Sequence, residues 1–210
     1  MTSRQSLIIF GAGGHATSVG DIALAAGFTI ANFVDPHKAG GKLLGIPIVG
    51  TFAGNPQDHL FCLALGDNQG REKSRAGEAS APPLDRFPAL IHPAASVSTF
   101  AKVGHGSVVM AGARIGPNSV IGDFCVINTR AALDHDCHVG DFATVAPGAV
   151  TGGFVKVGRA SMVGIGAVVR NDLTIGANTI LGAGSYLNKD LADNCVAYGS
   201  PAKIVKQIDV

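Results

Sequence analysis

Two short stretches of the chain hold residue types that can do chemistry. The first is Asp134-His135-Asp136-Cys137-His138. A histidine beside a carboxylate makes a general base, because the carboxylate holds the imidazole tautomer and raises its basicity. A solvated surface histidine is the alternative, and these five residues alone leave it open. The second stretch is Gly11-Ala12-Gly13-Gly14-His15-Ala16, which follows the apolar run 7–10. Gly11-x-Gly13-x-x-Ala16, with Asp35 about 20 residues on, matches the fingerprint of a dinucleotide-binding turn. Small residues such as Gly13 and Gly14 let the backbone approach a phosphate at a helix N-terminus. A complete dinucleotide fold needs two such halves, and one fits here. The spacing therefore favours a nucleotide diphosphate over NAD, with a ligand-free structural turn as the remaining alternative.

These stretches need elements to position them. From Ile91 to Leu187, every sixth residue is aliphatic except Thr151, and Gly often follows directly. The fourth residue after each is mostly Ala, Ser, Cys or Thr. Neither a helical period of 3.6 nor a strand period of 2 gives this pattern. It describes a three-faced prism with one hexapeptide per face, the aliphatic residue inside and a small residue packed beside it. Seventeen hexapeptides make between five and six coils, stacked about 4.8 Å apart. Residues 18 apart are then neighbours. Gly153 lies above His135, in the one hexapeptide without an aliphatic lead, where its N–H could face a developing oxyanion. Pro147, Ile165 and Ala183 form another row. His105 and His135 differ by 30 and do not stack, and no Cys is placed to help, so no metal is expected. His37, His59 and His92 have no partners that spacing identifies, and His138 has no assigned role.

Before the repeat, 7–10, 28–34 and 60–65 read as buried strands. The residues after the Gly-rich turn read as an apolar helix, and 69–78 as a polar helix. Ala81-Pro82-Pro83 breaks the chain. The fold class is α/β plus all-β: a small Rossmann-like βαβ domain over 1–88, then a parallel β-helix over 89–210 with a C-terminal tail.

Composition narrows the function classes. With 16 Lys+Arg against 15 Asp+Glu the net charge is +1, which offers no basic field for nucleic acid or an anionic membrane face. No uncharged run is long enough to span a membrane, and the N-terminus does not read as a signal peptide. Cys62, Cys125, Cys137 and Cys195 form no Cys-x-x-Cys pair. They read as reduced, mostly buried thiols of a cytoplasmic protein.

The repeat resembles the hexapeptide-repeat acyltransferases, which implies a left-handed prism and a homotrimer with its active site at the subunit interface. A row of small side chains then becomes a groove for a pantetheine arm, with ordinary coil packing as the alternative. The ordered set Gly11–His15, Leu65-Gly-Asp-Asn68, Val109-Met-Ala-Gly112, Ile127-Asn-Thr129, Asp134–Cys137, Ala146-Pro-Gly-Ala149 and Gly199-Ser-Pro-Ala-Lys203 is similar to the sialic acid O-acetyltransferase family. Within it, the set most resembles the N-acetyltransferases of nucleotide-linked 4-amino sugars. The resemblance implies acetyl-CoA as co-substrate and a nucleotide-sugar acceptor. It makes His135 the base, Asp136 its orienting partner and Gly153 the oxyanion donor. Ile165 and Ala183 would line the acetyl-CoA groove, with Pro201 and Lys203 near its nucleotide end. Thr144 stands where some relatives carry a His that contacts acetyl-CoA, and Ala183 where some carry Gly. His15, Asp35, Lys38, Gly66 and Asn128 would hold the nucleotide sugar with Gly13 and Gly14. Two other functions fit: an O-acetyltransferase on a sugar or amino-acid hydroxyl, and a non-catalytic nucleotide-sugar-binding trimer.

Overall fold

The structure, a computed structural model, describes residues 6–76 and 82–208. Apolar residues at 7–9 are fully buried because β1 (Ser6–Phe10) is the inner strand of a sheet covered on both faces. Helix α1 (Gly14–Ala25) follows, then β2 (Ile30–Val34), β3 (Lys42–Leu43), β4 (Ile46–Val49), β5 (His59–Leu63) and α2 (Asn68–Ala76). The sheet order is β3-β4-β2-β1-β5. All pairings are parallel except the β3–β4 hairpin. That hairpin was not expected from the sequence. It turns through Leu44 and Gly45, both at positive φ (52° and 78°), and a Leu in place of the usual Asn or Asp hides the signal. The expected helix over 69–78 is found up to Ala76; its last two residues, and Ala81, lie outside the described residues.

The repeat folds as expected. Seventeen two-residue strands run from Leu90–Ile91 to Tyr186–Leu187 in three parallel sheets. As far as Val168–Val169, each pairs with the strand 18 residues on, as Arg114↔Ala132 and Ile115↔Leu133 do. Face 1 contains Val126–Ile127 and Thr144–Val145, face 2 Ala132–Leu133 and Val150–Thr151, and face 3 His138–Val139 and Lys156–Val157. The lead residues and their small companions fill one continuous core. Thr151, the exception in the pattern, is buried with its hydroxyl against Cys137 Sγ at 3.4 Å. At the C-terminal end a strand over Cys195–Gly199 extends face 1 and folds back antiparallel through Ala202–Gln207.

The N-terminal sheet and the prism share cores. Leu90, Val108, Met110 and Val126 on face 1 pack with Leu7, Ile9 and Phe33. Phe124 and Phe142, at the edge between faces 3 and 1, pack with Ile8, Phe61 and Phe87. Arg71 on α2, 2% exposed, fastens this junction. It donates to the carbonyls of Leu65, Phe124 and Phe142 and to the side-chain oxygens of Asn68 and Thr144, at 2.8–3.1 Å. All these acceptors are neutral, so burial lowers the guanidinium pKa from its ordinary value. Each carbonyl would be left buried without its donor in Arg71→Met. That variant should lose about 3 kcal/mol or more, a fall in Tm of about 6–12 °C, measurable by thermal unfolding.

Candidate active site

His135 sits at the edge between faces 2 and 3, where the coil turns from Ala132–Leu133 to His138–Val139. Leu133 points into the core, which leaves the residue two places on at the outer corner. The imidazole Nδ1 lies 2.8 Å from Asp136 Oδ2. With the carboxylate ionised, Nδ1–H donates to it and Nε2 keeps the free lone pair, the state a base requires. Asp136 has φ +57°, which an Asp tolerates. Asn118, one coil below, donates to its other oxygen at 3.3 Å. The 18-residue rule leads to Asn118, since 118 + 18 = 136.

Gly153 lies one coil above, as the stacking rule requires. A Cβ on Gly153 would stand 2.5 Å from His135 Cε1 and 2.7 Å from Nε2. The imidazole therefore occupies the space that any side chain there would take. At some equivalent corner positions the N–H is taken by a carboxylate: Asp123 N–H by Asp141, Ala177 N–H by Asp193. The Gly153 N–H donates to no carbonyl or carboxylate among the described residues. A free amide donor and a free imidazole nitrogen thus lie within one coil spacing. Phe154 meets the His135 ring edge-on, with centroids 5.2 Å apart. Cys137, two residues away, is no nucleophile: it is buried and donates to Gly152 O at 3.2 Å.

The Gly-rich turn lies at the other end of the N-terminal sheet, beside the carboxyl ends of β1 and β2. Helix α1 begins with Gly13 as its cap, without a side-chain cap bond and without an acidic residue in its first turn. Its uncapped amides and positive dipole end suit an anion. No atom lies within 4 Å of where a Cβ on Gly13 or Gly14 would be, so internal packing does not require glycine there. Asp35 accepts the N–H groups of Ala12 (3.1 Å) and His37 (3.0 Å), and Lys38 Nζ donates to Ala12 O at 2.7 Å. Both charged residues clasp the turn. A cavity of about 740 Å³ opens beside it, lined by Phe10, Gly11, Asp35, Pro36, His37 and Phe52 among others.

Gly66 borders His15, whose Nε2 is buried without a hydrogen-bond partner. Burial, then the charge of Arg71, lowers the His15 pKa from 6.5 to about 4. A histidine lowered in the folded state is neutral there while the unfolded chain already binds a proton. Its contribution is therefore complete above about pH 6.5 and is lost as pH falls from 6.5 toward 4. The loss is on the order of 3 kcal/mol. Wild-type Tm should fall over that window more steeply than the Tm of His15→Gln.

Other expected residues lie elsewhere. Pro147, Ile165 and Ala183 stack on the edge between faces 1 and 2, with Gly166 N–H bonded to Pro147 O and Gly184 N–H to Ile165 O. Ile165 is 60% exposed. The row runs toward the C-terminal hairpin, where Tyr198 covers Gly182 and pairs with Lys203, and Pro201 sits in the turn. This edge and the His135 edge bound face 2 on opposite sides. Asn128 lies on the first of them, its side chain accepting the Thr129 N–H at 2.8 Å. Thr144 stands on neither edge. It is buried on face 1 beneath α2, its hydroxyl accepting from Arg71 and donating to Asn68 Oδ1 at 2.6 Å.

Two family models match the chain: PglD N-terminal domain over residues 6–75, and bacterial transferase hexapeptide (six repeats) over residues 154–189. Among solved structures, the chain is similar to perosamine N-acetyltransferase from Caulobacter crescentus, a histidine-to-asparagine variant in complex with CoA and GDP-perosamine. Identity is 38%, coverage 96% of this chain and 97% of that one, and TM-score 0.89. It is also similar to the acetyltransferase domain of PglB from Neisseria gonorrhoeae in complex with acetyl coenzyme A. There identity is 35%, coverage 97% and 100%, and TM-score 0.90. WeeI from Acinetobacter baumannii shares the fold at 24% identity and TM-score 0.82, over 95% of this chain and 99% of that one. An uncharacterized protein of Acanthamoeba polyphaga mimivirus is 34% identical over 118 residues, 55% of this chain; the match spans 23% of that curated relative's length.

Proposed function

The chain belongs to the hexapeptide-repeat sugar N-acetyltransferase family of perosamine N-acetyltransferase and the PglB acetyltransferase domain, and on that premise we propose that it transfers acetyl from acetyl-CoA to the 4-amino group of a nucleotide-linked 4-amino-4,6-dideoxy sugar. The observation that carries the reading is the stack of Asp136, His135 and Gly153, which sets a free imidazole nitrogen beside a free amide N–H. Both solved relatives are described in complexes with CoA or acetyl-CoA, and one also with GDP-perosamine.

In the proposed mechanism the neutral sugar amine attacks the thioester carbonyl carbon and a C–N bond forms. His135 Nε2 takes the amine proton, while Asp136 holds Nδ1–H and stabilises the imidazolium. The Gly153 N–H donates to the tetrahedral oxyanion. The C–S bond then breaks, and the proton on His135 passes to the CoA sulfur. No acyl-enzyme is required. The nucleotide sugar is assigned to the Gly-rich turn, its diphosphate on the α1 N-terminus near Gly13, Gly14 and His15, with Asp35, Lys38, Gly66 and Asn128 as further contacts. Acetyl-CoA is assigned to the edge with Ile165 and Ala183, its nucleotide end toward Pro201 and Lys203.

Within one chain the acetyl-CoA edge and the His135 edge are separated by face 2. That face exposes Val150 (42%), Val168 (45%) and Tyr186 (37%), an apolar surface of the kind a partner covers. A homotrimer that buries face 2 would bring one subunit's His135 to its neighbour's groove, so the working unit is proposed to be that trimer. The cellular role is proposed as surface-glycan synthesis in the cytoplasm. No helix among the described residues is long and apolar enough to cross a membrane.

The test is thiol release from acetyl-CoA with UDP-, GDP- and dTDP-linked 4-amino-4,6-dideoxy sugars beside their 4-hydroxy counterparts. Release with an amino sugar alone supports the reading and identifies the nucleotide. Release with hydroxyl acceptors alone replaces it with O-acetylation. Nucleotide-sugar binding without CoA binding or turnover replaces it with a binding protein.

A further inference from the structure

Phe154 occupies a backbone state that its side chain does not favour. Its φ is +60°, the left-handed region, where a bulky residue is an outlier. The residues stacked with it along the His135 edge are Asn118, Asp136 and Asp172, at φ 58°, 57° and 62°. Asn and Asp tolerate that conformation. Two other phenylalanines share the conformation, Phe124 and Phe142, at the edge facing the N-terminal sheet. They are 2% and 7% exposed and stack on each other within an aromatic cluster, so core burial offsets their strain. Phe154 has no such compensation: it is 51% exposed. Its aromatic contact is with His135, edge-on at 5.2 Å and 86°. It also walls a cavity of about 390 Å³ with Asp136, His138, Lys156 and Asp172.

Backbone strain without core burial, in contact with a reactive side chain, marks a residue retained for a site. We propose that Phe154 is a positioning residue for His135. Three restraints then act on the imidazole. Asp136 fixes Nδ1, Gly153 leaves room for the ring above it, and Phe154 blocks its swing toward face 3 and shields that side from water. Without the phenyl ring, the imidazole keeps its hydrogen bond to Asp136 but turns about it, and Nε2 spends less time aimed at the amine.

The inference rests on His135 being the base, so His135→Ala belongs in the same experiment. The variants are Phe154→Asn, which suits the left-handed corner, Phe154→Gly, which relieves it fully, and Phe154→Tyr, which keeps the ring. Steady-state kinetics in both substrates and Tm are measured for each. Phe154→Asn and Phe154→Gly should keep or raise Tm, because strain is removed and no core is lost. Their kcat should fall about ten- to a hundredfold, while KM for acetyl-CoA and for the sugar moves less than about threefold. Phe154→Tyr should restore kcat to within about threefold of wild type. If His135→Ala is inactive but Phe154→Asn turns over at the wild-type rate, the positioning role is wrong while the base assignment stands. A loss confined to KM for acetyl-CoA would overturn it in favour of a binding wall. Full activity in His135→Ala would remove both.

Discussion

His135→Ala lowers kcat by about 10²–10⁴-fold, with Tm and nucleotide-sugar binding close to wild type. The size follows from what remains at the edge once the imidazole is gone. Asp136 has one oxygen oriented by Asn118 and the other toward the missing ring, and a carboxylate is too weak a base to replace imidazole near neutrality. Cys137 is enclosed in the core. The oxyanion donor survives, because Gly153 N–H belongs to the backbone, so the residual rate should stay above the uncatalysed one. The fold should be unaffected. The His135 side chain is 45% exposed, its backbone conformation is ordinary, and it fills no part of the prism core. Calorimetry with the nucleotide sugar, beside steady-state thiol release, separates the two effects.

Gly153→Ala should lower kcat by about 10²-fold or more without unfolding the prism. Its φ is not in the left-handed region, so alanine adds no backbone strain there. The new Cβ instead meets the imidazole at 2.5–3.0 Å, and the ring, as the free end of a half-exposed side chain, must yield. Nε2 then moves off the axis that pairs it with the amide N–H. Because the lesion acts through His135, the double variant with His135→Ala should be no slower than His135→Ala alone, a plain failure of additivity. Multiplying effects would mean that Gly153 serves by some route other than the imidazole.

The prism was legible from one column of residues. A lead aliphatic every sixth position specifies three walls, and every such residue from Ile91 to Leu187 is the second residue of a strand. The 18-residue register followed, and with it the placement of Gly153 over His135. The same register could have identified Asn118 and Phe154, since both stack with Asp136. Alone, a polar residue or an aromatic at a corner carries no signal until its neighbours are known. The surroundings of Thr144 were illegible for a different reason. The resemblance that singles it out does not show that the position lies on face 1 under α2, where the hydroxyl is held by Arg71 and Asn68. The Arg71 junction itself was hidden, because the sequence shows a polar helix and not the carbonyls that the guanidinium meets. The Gly-rich turn was legible through Gly11 and Asp35. The clasp of Lys38 on Ala12 depends on a loop geometry that no local pattern encodes.

The central claim is acetyl transfer to a sugar nitrogen by a base at the prism edge. Its most direct test is to identify the product that wild type and His135→Ala form from acetyl-CoA and the preferred 4-amino sugar, by mass before and after treatment with mild alkaline hydroxylamine. The account predicts a singly acetylated sugar that survives hydroxylamine, as an amide does, formed by wild type and only in traces by the variant. A hydroxylamine-labile ester, or equal product from the variant, would contradict it.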